Sequence, residues 1–262
     1  MSQVTSAPLP VRSPLPASLA GSSVLIIGGS SGIGLGAARL LHSLDVRVVI
    51  AGRDKARLDA AVADIRSGDG DAEVLGTVVD AADEDSIRAA VEFTGTLDHV
   101  LLTAGGYVGA GPIESIDPKD ARTAYEQRVW AALAIARASV GRLPAGGSIT
   151  LTSGLLVTRP RPATAGAIAV AGGVETLVGS LAVELAPRRL RVNGVRYGQF
   201  DTPLLRGVGG LPTDEAVAAA GANAPLGRFG TPEEAGAASV VLMANPYFNG
   251  QVITIDGGQS LV

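Results

Sequence analysis

Val24-Leu25-Ile26-Ile27-Gly28-Gly29-Ser30-Ser31-Gly32-Ile33-Gly34 is the stretch that decides the fold. Four consecutive apolar residues predict a buried strand, the glycines after them a tight turn, and the residues from about 32 onward a helix. A strand that turns through glycines into a helix N-terminus gathers unpaired backbone N–H groups and the positive end of the helix dipole at one point. That arrangement suits the pyrophosphate of a dinucleotide. Alone, the motif fits a structural tight turn as well, so its meaning depends on the chain around it.

Outward from this stretch, apolar runs alternate with amphipathic ones. Strands are predicted at 23–28, 46–51, 73–79, 97–103, 147–153, 190–196 and 251–255, and helices near 32–44, 54–67, 83–93, 118–142, 165–186 and 232–244. Asp83-Glu84-Asp85 places acids at a helix start, and Thr231-Pro232-Glu233-Glu234 supplies a cap, a proline and two first-turn acids. Strand–helix alternation of this kind predicts an α/β protein: a doubly wound, mostly parallel Rossmann sheet of about seven strands with helices on both faces. No repeat or linker divides the chain, so one domain is expected over 21–262, preceded by a disordered or loosely docked arm over 1–20 that is rich in Ser, Pro and Ala.

Composition bounds the function classes. The chain has 262 residues, 47% of them apolar and 18% charged, which describes a globular protein with a covered core. A net charge of −4 gives no electrostatic case for nucleic acid. Cysteine is absent, which excludes disulfides and thiolate chemistry. No metal site is predicted: the two histidines, His42 and His99, are far apart in sequence and are expected at surface or strand-end positions. No apolar run reaches membrane-spanning length and no secretory apolar segment is seen, so a cytoplasmic protein without membrane contact is expected.

The second predicted strand ends at Ala51-Gly52-Arg53, where dinucleotide folds select the adenosine ribose. An acid there would bond a 2′-hydroxyl and repel a 2′-phosphate. Glycine followed by Arg53 does the opposite, which favours NADP(H) over NAD(H). A solvated arginine opening a helix is the alternative reading of the same residue.

With these residues quoted, the chain from about residue 20 to its end resembles the short-chain dehydrogenase/reductase family. The glycine turn is similar to the family's TGxxxGIG, with Ile27 where the threonine usually stands. Val79-Asp80 resembles its acid after the third strand, and Thr103-Ala104-Gly105 its NAG element. Arg191-Val192-Asn193 with Tyr197-Gly198-Gln199-Phe200-Asp201-Thr202-Pro203 resembles its RVN…PG…T segment, and Asp256-Gly257-Gly258 its DGG turn. The resemblance implies a cofactor site built from Gly28, Ser30, Ser31, Gly32, Ile33, Gly34, Arg53, Asp80, Ala104, Gly105 and Thr202, with Asp80 at the adenine and Thr202 at the nicotinamide carboxamide. It also implies a homodimer or homotetramer joined through the helices at 118–142 and 165–186.

The family's proton chemistry uses an asparagine, a serine, a tyrosine and a lysine. By resemblance these positions fall on Arg128, Gly154, Ala167 and Ala171. No shift of register restores the set. The two lysines, Lys55 and Lys119, precede the region, and the tyrosines at 107, 125, 197 and 247 lie outside it. Ser153 adjoins the serine position, but strand alternation points it to the other face.

Three readings follow for a small-molecule substrate. The first is an NADPH-dependent reductase that works without the usual acid–base pair, on an imine or an activated C=C or C=O bond, with Arg128, Tyr107 or Tyr197 as candidate catalytic groups. The second is a non-redox lyase, cyclase or isomerase on the same scaffold, with the arginines of Thr158-Arg159-Pro160-Arg161-Pro162 attracting an acidic substrate. The third is an inactive NADP(H)-binding protein. The Gly/Ala-rich stretch 204–225 is expected to form a mobile substrate lid.

Overall fold

The computed structural model describes residues 8–106 and 108–262. Among them seven strands form one wholly parallel sheet, in the order β3-β2-β1-β4-β5-β6-β7. The strands are β1 Ser23–Ile27, β2 Arg47–Gly52, β3 Val74–Val78, β4 His99–Leu102, β5 Ser148–Gly154, β6 Arg191–Tyr197 and β7 Val252–Ile255. Each predicted strand is present, within a residue or two at its ends. The chain starts at the middle of the sheet, runs to one edge through β3, then crosses back to β4 beside β1. Loops leaving β1 and β4 therefore part in opposite directions, and a crevice opens between them at the carboxyl ends of the strands.

Helices α1 Gly32–His42, α2 Lys55–Arg66 and α9 Pro232–Ala244 cover one face, and α3 Glu84–Thr94, α5 Ala131–Ser139 and α6 Ala165–Leu185 the other. Strand alternation divides the core accordingly. Leu25 and Ile27 of β1 enter one cluster, while Val24 and Ile26 enter the other. Burying both faces is why β1 reads as an unbroken apolar run, and each such Leu or Ile contributes roughly 1.5–3 kcal/mol. Helices α1 and α9 cross with almost no gap. A Cβ on Gly36 would lie 2.3 Å from the Pro232 carbonyl oxygen, and one on Gly236 would lie 2.5 Å from the Ala37 nitrogen.

Four expectations need correction. The predicted helix at 118–142 is interrupted: α4 Pro118–Tyr125 passes into α5 through a π turn, Glu126–Trp130, which widens the helix by one residue at Arg128. The stretch 204–225, assigned no helix above, holds two short ones, α7 Pro203–Gly207 and α8 Asp214–Gly221, which leaves its expected role as a lid untouched. Of the expected arm, Pro16–Leu19 forms a 3-10 turn whose Leu19 is buried in the core beside α9. His42 is buried rather than at the surface. His99, also buried, does begin a strand, with its Nδ1 2.8 Å from the Ser148 Oγ.

One helical segment, Ala165–Arg188, is long and apolar enough to cross a membrane by length and composition, contrary to the expectation. In the fold it covers the sheet: Val174, Val178 and Leu181 are core residues, and mid-helix Glu175 is bonded to Arg196 of β6.

Candidate functional site

A cavity of about 970 Å³ follows the crevice past the ends of β1, β4, β5 and β6. At one end lies the glycine turn. Gly28 has φ +97°, and a Cβ there would sit 2.5 Å from the Ala104 nitrogen. A Cβ on Gly34 would lie 2.3 Å from the Gly28 carbonyl oxygen, so only glycine lets α1 seat this close to the strand end. Ser31, extended at the N-cap of α1, makes no side-chain cap. The first-turn N–H groups of α1 therefore stay open to the cavity, as an anion would require.

Beyond the turn, Ser30 packs on Gly52 at the end of β2. Arg53 follows, exposed on the cavity rim and without an ion-pair or hydrogen-bond partner among the described residues. The neighbouring Asp54 does not compete for it, because its carboxylate caps α2 by accepting the Arg57 N–H at 2.9 Å. Asp80 lines the same end, and its carboxylate accepts the Ala82 N–H at 3.0 Å. Ala104, Gly105 and Thr202 line the middle of the cavity. Thr202 caps α7 by accepting the Leu205 N–H at 3.4 Å, which leaves its hydroxyl proton available. All eleven residues expected at a cofactor thus line one cavity.

The four positions that the resemblance assigns to proton transfer also meet here. Gly154 ends β5, Ala167 and Ala171 lie one turn apart on α6, and Arg128 projects from the π turn. Arg128 lies against Gly105, where a Cβ would come within 3.2 Å of its guanidinium, and donates to the Gly106 carbonyl at 3.3 Å. No carboxylate among the described residues pairs with it. Burial pushes its pKa below the usual guanidinium value.

Tyr197 requires a correction. It borders the cavity, but its hydroxyl is buried and bonded to the Ser239 Oγ of α9 at 2.9 Å, and its ring packs edge-on to Phe200. Burial raises its pKa, so it is a poor acid whose bonding is already satisfied. Tyr107 lies outside the described residues. Ser153 follows Ile149 and Leu151 onto the face covered by α6, where its hydroxyl donates to Glu175 at 2.7 Å. Arg196 closes that cluster with two bonds to Glu175, at 2.9 and 2.5 Å.

The remaining wall comes from the stretch expected to form the substrate lid, in which the sequence singles out no side chain. Leu204, Leu205 and Val208 come from α7 and the turn after it. Thr202-Pro203 and Thr213-Asp214-Glu215 carry the cap, proline and acid signals that announce such helices. Arg206 ties the two together, bonding Asp201 at 2.6 Å and Asp214 at 2.7 Å.

Comparison with known proteins adds a family model described as enoyl-(acyl carrier protein) reductase, which matches residues 28–260. The chain belongs to the short-chain dehydrogenase/reductase family. The dehydrogenase/reductase ATR9 of Stachybotrys chlorohalonatus is 33% identical, over 92% of this chain and 98% of its own. The structure of the MalC reductase/Diels-Alderase from Malbranchea aurantiaca superposes with a TM-score of 0.86 at 30% identity, over 93% and 98% of the two chains. A short-chain oxidoreductase of Pseudomonas aeruginosa, described as containing an atypical catalytic center, gives 0.83 at 27% identity, over 92% and 97%. Members of this family bind nicotinamide cofactors, and its reductases support an oxidoreductase here.

Proposed function

We propose that this short-chain dehydrogenase/reductase is an NADPH-dependent reductase that works without a tyrosine–lysine acid–base pair, on an imine or an activated C=C or C=O bond. One observation carries the reading. The cavity keeps an open phosphate turn and an unpaired Arg53 at one end, while Gly154, Ala167 and Ala171 at its centre bear no proton-donating group. NADPH, when bound, supplies the hydride. The open N–H groups at the start of α1 would hold its pyrophosphate, Arg53 its 2′-phosphate, and the Thr202 hydroxyl its carboxamide.

Losing a positioned general acid costs about 10²–10⁴ in rate, so an ordinary ketone is a poor substrate for this site. A cationic imine needs no such acid, and an activated alkene can take its proton from water. Arg128 supplies a fixed positive charge beside the reacting space, desolvated and pre-oriented against Gly105, where it stabilises negative charge developing on the substrate. Of the candidates among the described residues, Arg128 is free to act and Tyr197 is not. The family resemblance implies self-association into a dimer or tetramer through α4, α5 and α6, which light scattering would measure.

A second reading, a non-redox cyclisation, is favoured by the likeness to the MalC reductase/Diels-Alderase and by the room left beside Ala167 and Ala171. The deciding experiment follows NADPH absorbance with matched ketone, cyclic imine and activated alkene. Turnover of the imine or alkene without the ketone supports the proposal. Tight NADPH binding with no consumption overturns it in favour of the non-redox reading or a binding protein.

A further inference from the structure

The cavity is electrically lopsided. Its two carboxylates, Asp54 and Asp80, both lie at the adenosine end and both cap backbone N–H groups there. Arg53 and Arg57 accompany them, whereas from the middle outward the cavity holds two guanidiniums, Arg128 and Arg161, and no carboxylate. Neither forms an ion pair with any described residue. Around them the wall is apolar, from Leu155, Leu156 and Val157 after β5, Ile168 on α6, and Leu204 and Val208 near α7.

Fixed charges near apolar walls are costly unless something neutralises them. Arg128 is the sharper case. The π turn and the absence of a side chain at Gly105 hold it in place, and a single 3.3 Å bond to the Gly106 carbonyl uses one of its five donors. An oxyanion formed only in passing would leave this charge unneutralised for most of the catalytic cycle. A permanent anion on the ligand would neutralise it throughout binding. Arg161 stands exposed on the proline-flanked loop at the rim, where it would steer such an anion inward.

We infer that the substrate end of this cavity is built for an amphipathic carboxylic acid, with its carboxylate on Arg128, Arg161 as the outer cation, and its apolar body along the leucine-lined wall. This deepens the reductase reading by naming the substrate class and gives Arg128 to the permanent carboxylate in place of charge that develops during reaction; it rests on that reading only for what happens to the bound acid. A planar guanidinium matches a carboxylate with two parallel hydrogen bonds, a fit that an alcohol or ester of the same shape lacks.

Octanoate and 1-octanol make the test, titrated by calorimetry into the full chain with and without NADPH. Octanoate is expected to bind at least about ten-fold tighter than octanol, the scale of one charge-assisted pair. Arg128→Met should abolish the preference while NADPH affinity stays within about two-fold, and Arg161→Ala should lower it by about three-fold, as an exposed cation does. Arg128→Lys, which keeps the charge and loses the fork, should retain part of it and serves where the methionine variant fails to fold. Equal binding of acid and alcohol overturns the inference. So does an Arg128→Met protein that loses NADPH affinity as much as octanoate affinity, because the cofactor would then be the counter-ion. A wild-type protein that prefers octanoate but binds no NADPH upholds the acid site and overturns the reductase reading instead.

Discussion

Replacing Arg53 with alanine should cost affinity for NADPH and leave NADH almost untouched. Arg53 is exposed at the end of β2, and no described residue pairs with it, so no existing interaction must break before it meets a phosphate. A hydrogen bond to a charged group contributes about 1.5–3 kcal/mol, and screening at an exposed site keeps the value near the lower figure. At 1.4 kcal/mol per factor of ten, NADPH affinity should fall by about ten- to thirty-fold. Arg53→Asp should go further, because its carboxylate would repel the 2′-phosphate and accept the 2′-hydroxyl of NADH, bringing the two cofactors close to equal. Calorimetric titration of both cofactors at low and at 0.5 M salt would check this, with the wild-type preference shrinking as salt rises. Parallel loss of both cofactors would mean that the substitution damages the turn rather than the phosphate contact. Unchanged NADPH affinity in Arg53→Ala would refute the assignment of NADP(H) to this residue.

Further outcomes are expected elsewhere. Combining Gly154→Ser, Ala167→Tyr, Ala171→Lys and Arg128→Asn should raise ketone reduction by about 10² or more, the low end of what a general acid supplies. A Cβ at Gly154 meets nothing within 4 Å, so the serine has room, and NADPH consumption with the ketone would show the gain. Glu175→Ala strands Arg196, whose pair has side chains only 15% and 18% exposed, and should cost about 2–4 kcal/mol in denaturant unfolding. Glu175→Met with Arg196→Met should recover most of that loss. Burial, with smaller help from the charges of Arg191 and Arg12, pushes the His99 pKa down to about 3. Unfolded His99 takes up a proton near pH 6.5 while the native state refuses it, so its share of stability is complete above that pH. That share drains by about 1.4 kcal/mol per pH unit as pH falls toward 3, and urea midpoints of His99→Asn should show a flatter acid limb.

Fold and chemistry were legible to different degrees, for physical reasons. A parallel sheet buried on both faces needs runs such as Leu25-Ile26-Ile27 and Val48-Val49-Ile50, and these cannot be confused with surface helices. The glycine turn was legible because Gly28 and Gly34 sit where a Cβ would strike backbone, which fixes glycine at that spacing between a strand and a helix. Tyr197 misled because sequence gives its position along β6 but not the partner of its hydroxyl. Ser239 lies forty-two residues away, and only packing against α9 brings it to 2.9 Å. The π turn was equally hidden, since 118–142 carries no glycine or proline at its midpoint and the extra residue is absorbed without a breaker.

Arg128 joins these two kinds of information. Its residue type can be read from the sequence, yet a solvated helix arginine reads the same way. The π turn aims it at Gly105, where burial lowers its pKa and no described carboxylate pairs with it. The cavity that holds the glycine turn has alanine at 167 and 171, where the resemblance assigns a tyrosine and a lysine. On the proposed reading, the charge at 128 would act by electrostatic complementarity where the family acts by proton transfer. On that reading such a site favours a substrate that carries an anion, and a cationic imine without one gains nothing from Arg128.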